Sequence, residues 1–83
     1  MGKVAIVLKV YPKGVEVQEN VREEIEKQIK PNQIMEVDIF GGLKAYKVTV
    51  VRDDKEGAGN VEEELKKIPG VSEVQTEDVT LIS

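Results

Sequence analysis

The densest run of chemically capable side chains in this chain is Asp53-Asp54-Lys55-Glu56, followed directly by Gly57-Ala58-Gly59. Clustered carboxylates can hold a divalent cation, and glycines can bring backbone N–H groups against a phosphate. Neither chemistry fits the spacing here. The run lacks the alternating ligands and closing glutamate of a calcium loop, and its glycines lack the lysine and separation of a phosphate-binding loop. A solvated loop is the expectation. The 83 residues contain no cysteine and no histidine, so thiolate and imidazole chemistry is excluded. That removes the usual nucleophile, the usual near-neutral general base and the common zinc ligands. The expectation is a protein that is not an enzyme, with no catalytic residue, no resident metal and no cofactor.

Size and charge narrow the remaining classes. Residues 1–83 are expected to form one domain, too small for a deep substrate cavity. With 12 basic and 16 acidic residues the net charge is −4, the wrong sign for binding nucleic acid through its phosphates. The longest apolar run, Val4 to Leu8, is too short for a membrane span or a signal-peptide core. A soluble cytoplasmic monomer is expected, with no direct nucleic-acid partner and no membrane.

The elements that would position a binding surface are legible from periodicity. Val4, Ile6, Leu8 and Val10 alternate with Ala5, Val7, Lys9 and Tyr11, which predicts a strand whose first set meets the core. Pro12-Lys13-Gly14 ends it. Val17, Val21, Ile25 and Ile29 recur every four residues, predicting a helix over Val17 to Ile29. Pro31 stops that helix, because the residue before a proline is pushed out of helical geometry. Asn60 with Glu63 three residues on reads as a variant capping box for a second helix, whose stripe is Val61, Leu65 and Ile68. Pro69-Gly70 closes it, and Val71 to Leu81 supplies a last strand, interrupted near Glu77-Asp78.

Between the helices, Phe40-Gly41-Gly42-Leu43 joins two apolar runs, and a glycine pair suits a two-residue hairpin turn in which both central residues take positive φ. A regular register from that turn sets Phe40 opposite Leu43, Asp38 opposite Ala45 and Glu36 opposite Lys47. It also places Met35, Val37 and Ile39 on the inner face with Tyr46, Val48 and Val50. Phe40 and Leu43 then stand at the tip on the face away from the helices, where an exposed aromatic is a contact candidate. The order strand, helix, strand, strand, helix, strand defines an α+β, ferredoxin-like fold with a four-stranded antiparallel sheet and both helices on one face.

The chain resembles the archaeal translation elongation factor 1-beta family, the guanine-nucleotide exchange factors for elongation factor 1-alpha. The resemblance rests on Met1-Gly2-Lys3-Val4 leading to Lys9-Val10-Tyr11-Pro12, on the hairpin Phe40 to Val50, on Asp53-Asp54-Lys55-Glu56-Gly57 with Val61-Glu62-Glu63-Glu64-Leu65, and on Ile68-Pro69-Gly70-Val71-Ser72-Glu73-Val74. It implies promotion of GDP release from elongation factor 1-alpha by protein contact, with Phe40, Gly41, Leu43 and Lys44 as partner-binding residues. It also implies that the end of the chain helps to displace magnesium, but Thr80-Leu81-Ile82-Ser83 carries no cation, which leaves Lys44 or another group for that role. Two alternatives share the fold: a regulatory module that binds a small molecule between paired sheets, and an inactive or engineered scaffold. An RNA-binding sheet would need stacking aromatics that the central strands lack.

Overall fold

Strict alternation in the first strand meets its expectation: Ile6, Leu8 and Val10 are fully buried, while Lys3 is exposed and Ala5, Val7 and Lys9 are half-buried. The computed structural model describes residues 2–53 and 57–82. Its elements are β1 (Lys3–Pro12), α1 (Val15–Gln28), β2 (Gln33–Phe40), β3 (Leu43–Asp53), α2 (Gly57–Lys66) and β4 (Val71–Leu81). The strands form one antiparallel sheet in the order β2-β3-β1-β4. This is the ferredoxin-like α+β arrangement. The helices pack on β1, β3 and β4, with α1 on β3 and β1, and α2 on β4 and β1.

The core follows from two stripes meeting one sheet face. Ile6 pairs with Val50, Leu8 with Val48 and Val10 with Tyr46. Against these pack Val21, Ile25 and Ile29 of the first helical segment and Val61, Leu65 and Ile68 of the second. Fully burying one such aliphatic side chain contributes about 1.5–3 kcal/mol relative to leaving it in water. The packing therefore outweighs local preference, which explains one difference from the sequence reading. α2 begins at Gly57, so Asn60 lies inside the helix and is not its N-cap. A glycine costs at most about 1 kcal/mol in a helix, less than one buried anchor supplies. Asp54, Lys55 and Glu56 of the acidic run lie outside the described residues.

Helix α1 runs from Val15, two residues earlier than its stripe indicates, to Gln28, and Lys30 beyond it takes left-handed geometry (φ 52°) before Pro31. β4 runs from Val71 to Leu81 with two shifts in its pairing to β1, one at Tyr11/Pro12 and one where Val7 faces Asp78 and Leu8 faces Thr76, leaving Glu77 as the extra residue. The interruption expected at Glu77-Asp78 is thus a bulge that bends the strand without ending it.

Candidate partner-binding hairpin

Two glycines make the turn between β2 and β3 possible. Gly41 and Gly42 have φ values of 57° and 84°, a region that costs an L side chain roughly 1–2 kcal/mol. No atom lies within 4 Å of where a Cβ would stand on either. The glycines are therefore required by backbone geometry alone, as the turn chemistry predicts. Phe40 faces Leu43 across this turn. Phe40 is 75% exposed, the most exposed large apolar residue among the described residues.

The register just behind the tip departs from the regular one. Asp38 faces Lys44, Val37 faces Ala45, Glu36 faces Tyr46 and Met35 faces Lys47, with a shift between Asp38 and Phe40. Ile39 is thus the extra residue of a bulge. A slip of one residue turns every side chain behind it to the other face. Met35, Val37 and Ile39 consequently do not line the inner surface with Tyr46: Met35 and Ile39 are exposed, and Ile34 is the β2 residue packed against the core. The helices pack mainly on β1, β3 and β4, so burial beneath the outer half of β2 gains little. Glu36 and Asp38 can occupy that side and remain hydrated.

The slip also changes the ion pair. Glu36 bonds Lys44 at 3.0 Å, while Lys47 lies 4.0 Å from Glu77 on β4. The Glu36 carboxylate holds the Lys44 ammonium above the usual lysine value, first through its hydrogen bond and then through charge attraction. Lys44 is therefore a firmly charged cation on the strand that leaves the turn.

Helix α1 reaches the turn through one residue. Pairing of β1 with β3 stops at Val10 and Tyr46, so the next stretch of β3 has no paired strand on that side. The Gln18 amide takes the place of that strand: the Lys44 N–H donates to its Oε1 at 2.9 Å, and its Nε2 donates to the Gly42 carbonyl at 3.2 Å. The Tyr46 hydroxyl, whose pKa burial pushes up, donates to the Gln18 backbone carbonyl at 2.9 Å. The sequence carried one unused hint of this. Gln18 precedes Val21 by three residues and Ile25 by seven, which puts a polar side chain on the helix's buried side.

Of the residues expected at the site, Phe40, Gly41, Leu43 and Lys44 fall together on this hairpin, with Phe40 and Gly41 exposed and Leu43 and Lys44 half-buried. A polar cleft of about 240 Å³ between Arg52 on β3 and Asn60, Glu63, Glu64 and Lys67 lies elsewhere. At about 3.3 Å per strand residue, Arg52 is roughly 30 Å along β3 from Leu43. Among the described residues, no group of three or more acidic, cysteine or histidine side chains is arranged to hold a metal, and no helix is long and apolar enough to cross a membrane.

The element order and the β2-β3-β1-β4 sheet define a ferredoxin-like α+β domain with an exposed hairpin tip built on two glycines. Residues 5–82 match the EF-1 guanine nucleotide exchange domain. The chain is 39% identical over 88 residues to elongation factor 1-beta of Thermoplasma acidophilum, covering 99% of this chain and 100% of that protein. It is 38% identical to elongation factor 1-beta of Methanoculleus marisnigri over 84 residues, with 99% and 100% coverage. The Aeropyrum pernix elongation factor 1-beta is 37% identical over 87 residues, with 96% and 97% coverage. The chain belongs to the elongation factor 1-beta family of translation, whose domain is a guanine nucleotide exchange domain.

Proposed function

We propose that this chain promotes release of GDP from elongation factor 1-alpha in the cytoplasm by pressing the β2–β3 hairpin against the GTPase. The observation that carries this reading is Phe40, exposed at the apex of a two-glycine turn with a charged Lys44 close behind. Exchange of this kind needs differential binding. A partner that prefers the nucleotide-free GTPase lowers nucleotide affinity by the same coupling free energy. No general base or nucleophile is required, which suits a chain without histidine or cysteine. Phe40 supplies apolar area at low entropy cost, Gly41 allows close backbone approach, Leu43 widens the apolar tip, and Lys44 supplies a cation directed by Glu36.

The test is release of a fluorescent GDP analogue from an archaeal elongation factor 1-alpha, with the unaltered chain and with Phe40→Ala and Lys44→Ala. Loss of an aromatic anchor costs about 2 kcal/mol or more, so Phe40→Ala should lower the acceleration at sub-saturating protein roughly 30-fold. Lys44→Ala should lower it by a smaller, salt-dependent factor. Absence of any acceleration by the unaltered chain would overturn the reading.

A further inference from the structure

We infer that Gln18 is a positioning residue for the hairpin, a side-chain surrogate for a missing strand that holds the turn in the conformation presented to the GTPase. This rests on the hairpin being the contact surface, as proposed above. Four observations carry it. β1 ends its pairing with β3 at Val10 and Tyr46, leaving the backbone near the turn without a paired strand on that side. The Gln18 amide offers one acceptor and one donor in the arrangement a strand peptide would, to Lys44 N–H at 2.9 Å and Gly42 C=O at 3.2 Å. The two groups it binds flank Leu43, the residue facing Phe40. Gln18 is itself fixed, since its backbone belongs to α1 and its carbonyl accepts the Tyr46 hydroxyl.

The hairpin needs such a device. Two consecutive glycines lose more conformational freedom on ordering than any other pair, and the bulge at Ile39 removes a regular ladder step behind the tip. An untethered tip would sample several orientations of Phe40, and ordering it at the moment of binding would weaken the complex. Tethering to α1 settles that orientation beforehand. The tether carries no charge, so its action should not vary with salt.

Gln18→Met tests this, because methionine matches glutamine in length and helix propensity and forms neither bond. Amide hydrogen exchange, followed by NMR, should show Lys44 losing protection about five- to tenfold, the effect of one ordinary hydrogen bond. Amides of Ile6 and Val48 should be unchanged. GDP release should then need roughly five- to tenfold more protein for half-maximal acceleration, with the rate at saturation retained. Gln18→Glu, which keeps the acceptor and loses the donor, should fall between the two. Unchanged Lys44 protection in Gln18→Met, or lost protection with unchanged half-maximal concentration, overturns the inference. Phe40→Ala run in parallel separates the two failures. If Phe40→Ala impairs release and Gln18→Met does not, only the tether fails. If Phe40→Ala is also without effect, the hairpin reading fails and the inference with it.

Discussion

The Tyr46 hydroxyl donates a hydrogen bond of 2.9 Å to the backbone carbonyl of Gln18, joining a fully buried β3 residue to the helical residue whose side chain reaches the turn. The inner end of this connection is anchored by packing, since Tyr46 pairs with Val10 in the core. At the outer end the Gln18 amide bonds the Lys44 N–H and the Gly42 carbonyl. Tyr46 and Gln18 thus link the turn to the core in addition to the pairing of β2 with β3.

Tyr46→Phe retains the packing and removes the hydroxyl. The expected cost is about 1 kcal/mol, which for a domain of this size lowers the melting midpoint by roughly 4–8 °C. Thermal unfolding followed by circular dichroism would measure it, and an unchanged midpoint would show that the bond contributes nothing.

Gly41 and Gly70 both have positive φ, at 57° and 93°, but differ in surroundings. A Cβ on Gly70 would stand 3.1 Å from the Val21 methyl and 3.3 Å from Val17 Cβ, whereas one on Gly41 meets nothing. Gly41→Ala should cost about 1 kcal/mol from backbone strain alone. Gly70→Ala should cost roughly 1–3 kcal/mol more because of overpacking against α1. Urea titrations of both variants would give the difference, and equal costs would contradict the crowding.

Lys30 takes φ 52° just beyond the end of α1, where glycine is the unstrained residue. Lys30→Gly should raise stability by about 1 kcal/mol, the strain relieved less the added freedom of the unfolded chain. A rise in the urea midpoint at constant m would be the expected outcome.

Glu62 accepts a 2.6 Å hydrogen bond from the Thr76 hydroxyl and lies 3.3 Å from Lys66, and these partners, Thr76 first, hold its carboxyl below the ordinary value of 4.5. A lowered folded-state pKa gives stability that is present above 4.5 and lost as pH falls through the lowered value. Thr76→Val should therefore flatten the acid limb of the stability profile and leave its alkaline limb untouched. Lys44 acts in the opposite sense. Its pKa is raised, so the stability it gains from Glu36 is present below the unfolded lysine value and disappears as pH climbs through the higher folded value. Glu36→Gln should remove that alkaline dependence.

Most of the scaffold was legible because it obeys one period at a time. The alternation of Val4 to Val10 and the four-residue recurrence of Val21, Ile25 and Ile29 each name their buried face without ambiguity. The glycine turn was legible because few residues other than glycine tolerate its φ values. The register of β2 was not. Met35, Val37 and Ile39 alternate as though buried, and only the placement of the helices over the other three strands shows that burial is not on offer there. Gln18 was hidden for a related reason, since its partners are backbone groups whose vacancy depends on where β1 stops pairing.

The bulge at Ile39 and the turning of Glu36 and Asp38 toward the helix side have an effect on how copies of this chain meet one another. β2 is a border strand of the sheet, and its outward-facing backbone is a template on which a neighbouring chain could dock and extend the ladder. Carboxylates set on the inner side of a border strand, together with a local kink, make such stacking costly, because a docking strand would bring charge against charge and meet an irregular row of N–H and C=O groups. The β2 edge can thus carry bare Met35, Ile39 and Phe40 side chains and still be a poor template for a further strand.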